Sequence, residues 1–135
     1  MTHYHPFTLE EFLQYSHRAS YVIPNHSKAV HNRRLLQLRP RGKAYLEKTP
    51  DASDIFHIIE VADSSLELNI TMKLQLYAIM SVPEYWIADL RNNRLLVDSN
   101  PAGDSYQNIR ELRRGDTLAP SLLPDCVISV DLLLP

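Results

Sequence analysis

The chain has 135 residues, an apolar fraction of 44%, a charged fraction of 22% and a formal net charge of −2. A length near 100–150 residues is typical of one globular domain. The apolar content excludes a disordered chain. The sequence has no run of about 20 apolar residues, which excludes a transmembrane helix. Its single cysteine, Cys126, excludes a disulfide scaffold. With no secretory signal at the N-terminus, we expect a cytoplasmic protein without membrane association.

Charge is distributed unevenly along the chain. Residues 1–48 hold eight basic and three acidic side chains, whereas residues 49–135 hold six basic and thirteen acidic ones. A basic segment is typical either of a nucleic-acid surface or of a solvated face. Only three glycines are present, which excludes a glycine-rich phosphate-binding loop.

The N-terminal third carries weak structural signals. A capping box at residues 8–11 predicts a short helix. Residues 16–34 have no clean periodicity, so we predict an irregular connection there. Residues 35–38 predict a strand that ends before Pro40. A basic turn follows, with three candidate DNA-binding residues: Arg39, Arg41 and Lys43.

The middle of the chain has the clearest pattern. Residues 54–61 are apolar on both faces, as in a strand covered on both sides. Residues 70–80 have helical spacing, with Asn69 as the expected cap and Pro83 just beyond the end. Residues 84–90 predict a second buried strand. Strand, helix and strand in this order predict a βαβ unit with parallel strands.

Antiparallel strands are expected in the C-terminal part. Asn92 and Asn93 predict a hairpin turn, because asparagine tolerates positive φ. The flanking strands are predicted at residues 94–98 and, after a second turn, at residues 106–112.

The last predicted elements are a short strand at residues 126–128 and a final turn capped by Asp131. The predicted fold class is α/β: a mixed β-sheet flanked by helices, with a central βαβ unit and C-terminal antiparallel strands. We expect one domain over residues 1–135, with an irregular part at 1–34 and the core of the fold at 35–135.

Glu60 is the first candidate functional residue. It lies near the carboxyl end of the first buried strand, between Ile59 and Val61. Burying a carboxylate is costly unless a metal, a base or hydrogen bonds stabilise it. In open α/β sheets, ligands also bind at this end of the strands. The alternative is a frayed strand end with Glu60 in water.

Lys73 and Asp63 are the next candidates. Lys73 shares a helix face with Leu74 and Tyr77, and the helix could bring its ammonium over the strand end that carries Glu60. A lysine beside a phosphate stabilises the charge that develops during hydrolysis, although a lysine at the edge of a core is the alternative. Asp63 is either a second oxygen ligand or a helix-entry residue.

Other polar residues are not expected to join this site. Asp54 lies about 20 Å of strand away from Glu60, too far to share one ion. His57 points to the opposite face of the strand, so we predict a core histidine. The remaining histidines are scattered, and Cys126 has no second cysteine, so a structural zinc site is not expected.

Several strings of the chain resemble a known family. They are the run Glu-Val-Ala-Asp-Ser that starts at Glu60, the run Lys-Leu-Gln-Leu-Tyr-Ala that starts at Lys73, and the run Val-Pro-Glu-Tyr-Trp-Ile that starts at Val82. Together they resemble the restriction-endonuclease family abundant in cyanobacteria, within the PD-(D/E)XK nuclease superfamily. The resemblance is continuous from about Arg39 to the C-terminus and short at the N-terminus.

The resemblance implies a DNA endonuclease that depends on Mg²⁺, with Mn²⁺ as an alternative ion and no small-molecule cofactor. Glu60 matches a metal-binding and catalytic carboxylate of the family. Lys73 matches its catalytic lysine, displaced from the strand to the next helix. The implied fold is restriction-endonuclease-like.

The chain also departs from the family pattern. The family's first metal-binding aspartate belongs to a Pro-Asp pair ahead of an Arg-Pro-Arg segment, and the matching pair here is Arg33-Arg34. A guanidinium cannot ligate Mg²⁺. Residues 16–34 are also too few for the strands and helix that the family has in this region, so the resemblance implies an N-terminally shortened member.

Two functions therefore stay open. The first is an active nuclease in which Glu60 and Asp63 hold one metal ion and Lys73 lies at the phosphate. The second is a catalytically inactive family member that binds DNA or associates with itself as a homodimer.

Overall fold

The computed structural model describes residues 20–24, 33–38, 52–62 and 66–134, in which a mixed β-sheet forms the centre of the fold. Helix α1 (Leu66–Ile79) connects two parallel strands, β3 (Ile55–Ala62) and β4 (Glu84–Asp89), and all other neighbours in the sheet are antiparallel. The predicted α/β class and βαβ unit are thus confirmed. The strands follow each other in the sheet in chain order: β1 (Ser20–Pro24), β2 (Arg33–Leu38), β3 (Ile55–Ala62), β4 (Glu84–Asp89), β5 (Arg94–Ala102) and β6 (Ser105–Arg113).

The predicted irregular connection at residues 16–34 is wrong in part, because β1 lies inside it and β2 begins at Arg33. The run Tyr-Val-Ile within β1 has high strand propensity but is too short to show a period. Antiparallel pairing with β2 supplies the stabilisation that the pattern alone does not reveal. The predicted helix at residues 8–11 lies outside the described residues.

Helix α1 begins three residues before Asn69, so the predicted cap is wrong. Asp, Ser and Ser immediately precede Leu66 in the sequence, and these residue types favour a helix start at that point. The predicted end is confirmed. The Val82 N–H donates to the Tyr77 carbonyl at 3.0 Å and the Ser81 N–H to the Ala78 carbonyl at 2.9 Å, with Ser81 at φ 59°, which is a Schellman motif.

The hairpins agree with the predicted turns. Asn93, between β4 and β5, has φ 53°, the left-handed conformation that asparagine tolerates. Gly103, between β5 and β6, has φ 64°. Strand β5 runs to Ala102 and is longer than predicted, because Pro101 and Ala102 still pair with β6. Asn100 adopts positive φ within it.

The core has two layers, one on each side of the sheet. On the side of α1, the buried residues include Ile58, Tyr77, Val82, Tyr85 and Ile87. On the other side, the C-terminal segment (residues 117–134) packs against the sheet. The buried residues of this layer come from both the sheet and the segment: Ile59, Trp86, Ala88, Leu95, Val97, Leu118, Cys126, Ile128, Val130, Leu133 and Leu134. Cys126 is therefore a core residue, as predicted.

Glu84 fixes the C-terminal segment to the sheet. Its carboxylate accepts hydrogen bonds from the Trp86 indole at 3.0 Å and from the Ser121 backbone N–H at 2.7 Å. Within this segment, β7 (Thr117–Leu118) pairs with β8 (Ile128–Ser129), so the predicted strand begins two residues later and ends one residue later than expected.

The final 3₁₀ turn, Val130–Leu132, is capped by Ser129 and not by Asp131. The Ser129 hydroxyl accepts from the Asp131 N–H at 3.2 Å, while the Asp131 carboxylate accepts from the Gly115 N–H at 3.1 Å. The aspartate is thus used to bind a neighbouring turn, a contact that local sequence does not encode. None of the helices in the described ranges is long and apolar enough to cross a membrane.

Candidate functional site

Glu60 lies two residues before the carboxyl end of β3 and is buried, with 4% of its surface exposed. It alternates with Ile58 and Ala62 on the side of the sheet that faces α1. The frayed strand end that sequence left as an alternative is therefore excluded. A buried carboxylate requires partners, and two are present.

The partners of Glu60 are Lys73 and Tyr85. The Lys73 ammonium donates to Oε1 and forms an ion pair with it. The Tyr85 hydroxyl donates to Oε2 at 2.7 Å. The Lys73 side chain keeps 18% of its surface exposed, so the site reaches solvent on the lysine side.

Tyr85 was not predicted from the sequence. It lies on β4, and its ring makes an edge-to-face contact with Tyr77 of α1, with the ring centroids 4.9 Å apart. The contact fixes the hydroxyl toward Glu60. The sequence does show a tyrosine in the strand that is predicted to pair in parallel with the Glu60 strand. It does not show the register between the two strands, which places Tyr85 diagonally from Glu60 and depends on the tertiary structure.

The backbone register places Arg34 directly opposite Glu60 on β2. Opposite positions of an antiparallel pair have Cβ atoms about 4.5–5.5 Å apart. This position is therefore where a second carboxylate could share an ion with Glu60. The sequence has arginine there, which cannot be a metal ligand.

At this site the described residues offer a divalent cation one carboxylate, that of Glu60, whose charge is already paired with the Lys73 ammonium. Glu60 already accepts one hydrogen bond on each oxygen, but a carboxylate has about four lone-pair sites and thus retains acceptor capacity. Mg²⁺ sites commonly use one or two carboxylates together with water and substrate phosphates. No group of three or more His, Cys, Asp or Glu side chains suited to a metal occurs within the described ranges.

Several predicted site residues lie outside the described residues. They are Asp63, the candidate second ligand, and the candidate DNA-binding residues Arg39, Arg41 and Lys43. Of the predicted set, the structure thus brings Glu60 and Lys73 together.

The residues excluded from the site lie where the sequence placed them. Asp54 is buried in a 3₁₀ turn (Ala52–Asp54) at the opposite end of β3 from Glu60. His57 is buried on the other side of the sheet, edge-to-face with Trp86 at a centroid distance of 4.2 Å. Burial lowers the pKa of His57 to about 3, so this histidine is neutral in the core.

Asp98 is another buried carboxyl group, and it lies on the same side of the sheet as Glu60. It is 2% exposed and pairs in register with Tyr85, and its Oδ2 atom has no hydrogen-bond partner among the described residues. Burial raises the pKa of Asp98 to about 6. Burial and the nearby Asp98 charge also raise the pKa of Tyr106, whose hydroxyl donates to the Val82 carbonyl at 2.7 Å.

Comparison with known proteins gives one match. The family model Uma2, described as "Putative restriction endonuclease", matches residues 11–131. No curated protein and no solved structure matches the chain.

Proposed function

Because the chain belongs to the Uma2 family, we propose that it hydrolyses phosphodiester bonds of DNA with a divalent cation, Mg²⁺ or alternatively Mn²⁺, held at Glu60. The observation that carries this proposal is the partly buried Glu60–Lys73 pair at the carboxyl end of β3. Asp63 is the proposed second oxygen ligand. No small-molecule cofactor enters the proposal.

Glu60 and Lys73 have complementary roles in the proposed reaction. Glu60 would hold the cation through its carboxylate, and its contact with Tyr85 keeps the carboxylate in one orientation. When bound, the cation neutralises charge on the scissile phosphate. Lys73 is partly exposed and directs its ammonium to the same point, where it stabilises charge on the phosphate oxygens in the transition state.

The test is nicking of supercoiled plasmid by the purified chain in Mg²⁺ or Mn²⁺, with EDTA as a blank. We expect cleavage that is lost in Glu60→Gln and Lys73→Ala. Asp125→Asn removes an exposed carboxylate of the C-terminal segment and is expected to cleave as the wild type does. Tryptophan fluorescence of buried Trp86 controls for folding. Cleavage that survives Glu60→Gln in a folded protein contradicts the assignment.

A catalytically inactive protein that binds DNA or associates with itself is the second candidate function. The register of Arg34 opposite Glu60 favours it, because a positive charge at this position opposes cation binding. This function predicts DNA binding without cleavage in either metal ion. Robust metal-dependent cleavage by the wild type would exclude it.

For either function we propose that Arg39, Arg41 and Lys43 contact DNA phosphates in the cytoplasm. Phosphate contacts release counterions, so the affinity is expected to fall steeply with salt. Replacing all three residues with glutamine is expected to reduce the slope of log affinity against log salt by about three, at about one per lost contact. Fluorescence anisotropy of a labelled duplex measures this, and an unchanged slope contradicts the residue assignment.

A further inference from the structure

The charge at the Glu60 site comes from residues of three different elements. Glu60 lies on β3, Lys73 on α1, and Arg34 on β2 at the position directly opposite Glu60. Directly opposite positions of an antiparallel pair share a face of the sheet, so Arg34 is on the face that carries Glu60. Among the described residues that meet at this point, two are positively charged and one is a carboxylate. The site therefore has a net positive charge.

Another carboxylate on this face, Asp89, does not offset that charge. Asp89 is aligned with Ala62, two residues beyond Glu60 along β3. It is fully buried, and its carboxylate accepts hydrogen bonds from the Arg94 guanidinium at 2.9 Å and from the Asn92 side chain at 2.8 Å. The charge of Asp89 is thus paired within its own hairpin.

Lys73 can bind a ligand while it keeps its contact with Glu60. An ammonium carries three N–H donors, of which the bond to Glu60 Oε1 uses one. The Lys73 side chain is 18% exposed, so a ligand can reach it from solvent. Helix α1 packs over β4, β5 and β6 on one side of β3, and β2 lies on the other side of β3. Lys73 and Arg34 therefore flank Glu60 from opposite sides.

A phosphate group fits a site with these two cationic residues. Phosphate oxygens accept a bidentate pair of hydrogen bonds from arginine, and lysine binds the same group as a point charge. The positive charge that a divalent cation brings to a phosphate is here already supplied by side chains. Glu60, which accepts from Lys73 and Tyr85, fixes the lysine in place.

We propose that Lys73 and Arg34 together bind one phosphate of the DNA backbone directly, without a divalent cation. The inference rests on DNA as the proposed ligand, which both candidate functions share, and it requires no cleavage. A cation at Glu60 is then needed for hydrolysis and not for binding. The arginine at the position where a second carboxylate could share an ion with Glu60 thus contributes to binding the substrate.

Fluorescence anisotropy of a labelled duplex in EDTA tests the phosphate site. We expect the wild type to bind and Arg34→Gln to lose about tenfold in affinity, with the salt slope reduced by about one, as for one lost phosphate contact. Arg33→Gln is the matched control. It makes the same charge change one residue earlier, opposite Val61 and on the other face of the sheet, and should keep the wild-type affinity. Equal losses in both variants, or no binding by the wild type in EDTA, overturn the proposal.

Glu60→Gln gives a second test with a different sign. It removes the carboxylate and leaves both cationic residues, so we expect it to bind the duplex in EDTA at least as tightly as the wild type. A lower affinity in a folded Glu60→Gln, checked by the fluorescence of Trp86, overturns the proposal, because a carboxylate does not bind phosphate.

Plasmid nicking in Mg²⁺ separates this proposal from the nuclease function. Weaker binding by Arg34→Gln than by Arg33→Gln, without nicking by the wild type, supports the phosphate site and contradicts the nuclease. Nicking by the wild type with equal binding of the two variants contradicts the phosphate site alone.

Discussion

Replacing Asp98 with asparagine is expected to stabilise the protein relative to the wild type progressively as the pH rises from 4 to 7. Asp98 is 2% exposed and its Oδ2 atom lacks a hydrogen-bond partner among the described residues, so its charged form is poorly solvated. Burial raises its pKa from 3.8 to about 6. Asparagine has almost the same shape and carries no charge, so the variant removes the cost of ionisation. Its amide adds buried N–H donors, whose effect on the free energy of unfolding does not depend on pH.

The magnitude follows from the pKa of Asp98. A rise from 3.8 to about 6 corresponds to about 3 kcal/mol, at about 1.4 kcal/mol per pKa unit. Between these two pH values the folded state binds more protons than the unfolded state, so the contribution of Asp98 to the free energy of unfolding falls as pH rises. The contribution is constant below about pH 4 and again above about pH 6. The free energy of unfolding of Asp98→Asn minus that of the wild type should therefore be about 3 kcal/mol larger at pH 7 than near pH 4. Any effect of the amide itself adds a constant to this difference at every pH.

Urea unfolding between pH 4 and pH 7 measures this difference. Trp86 is the only tryptophan and is fully buried, so its fluorescence reports the transition. Other titrating groups are common to both proteins and cancel in the difference. Asp104→Asn, in the exposed turn between β5 and β6, is the control and should show no such pH dependence. A difference between Asp98→Asn and wild type that does not change from pH 4 to pH 7 would refute the reasoning.

Three further variants test other contacts. Arg34→Asp is expected to tighten Mg²⁺ binding in calorimetry, because position 34 faces Glu60 in register, whereas Arg33→Asp, one residue off that register, should not. Tyr85→Phe leaves Glu60 Oε2 without its donor and should lower the free energy of unfolding by about 1–3 kcal/mol, measured with urea; no loss would show that the hydroxyl bond is dispensable. Ser81→Gly should raise that free energy by about 0.5–1 kcal/mol, because glycine adopts φ 59° without steric cost, and a lower stability would contradict this.

The central βαβ unit was predictable because its signals are local. The apolar run of β3, the helical spacing through Tyr77 and the Val82-Pro83 stop each depend on neighbouring residues only. Strand β1 was missed for the opposite reason. Its five residues are too few to show a period, and their pairing with β2 depends on residues farther along the chain. The helix start was misplaced because Asn69 and the preceding serines are both reasonable caps.

By itself, the sequence determined the candidates for the site. A carboxylate in an apolar strand and a lysine on the apolar face of the next helix are visible as exceptions to the hydrophobic pattern. Their contact, the Tyr85 hydroxyl on Glu60 and the position of Arg34 opposite Glu60 were decided by the tertiary structure. The reason is that strand register and helix packing depend on the whole core. Periodicity gives the face on which a side chain lies but not its neighbour across the sheet.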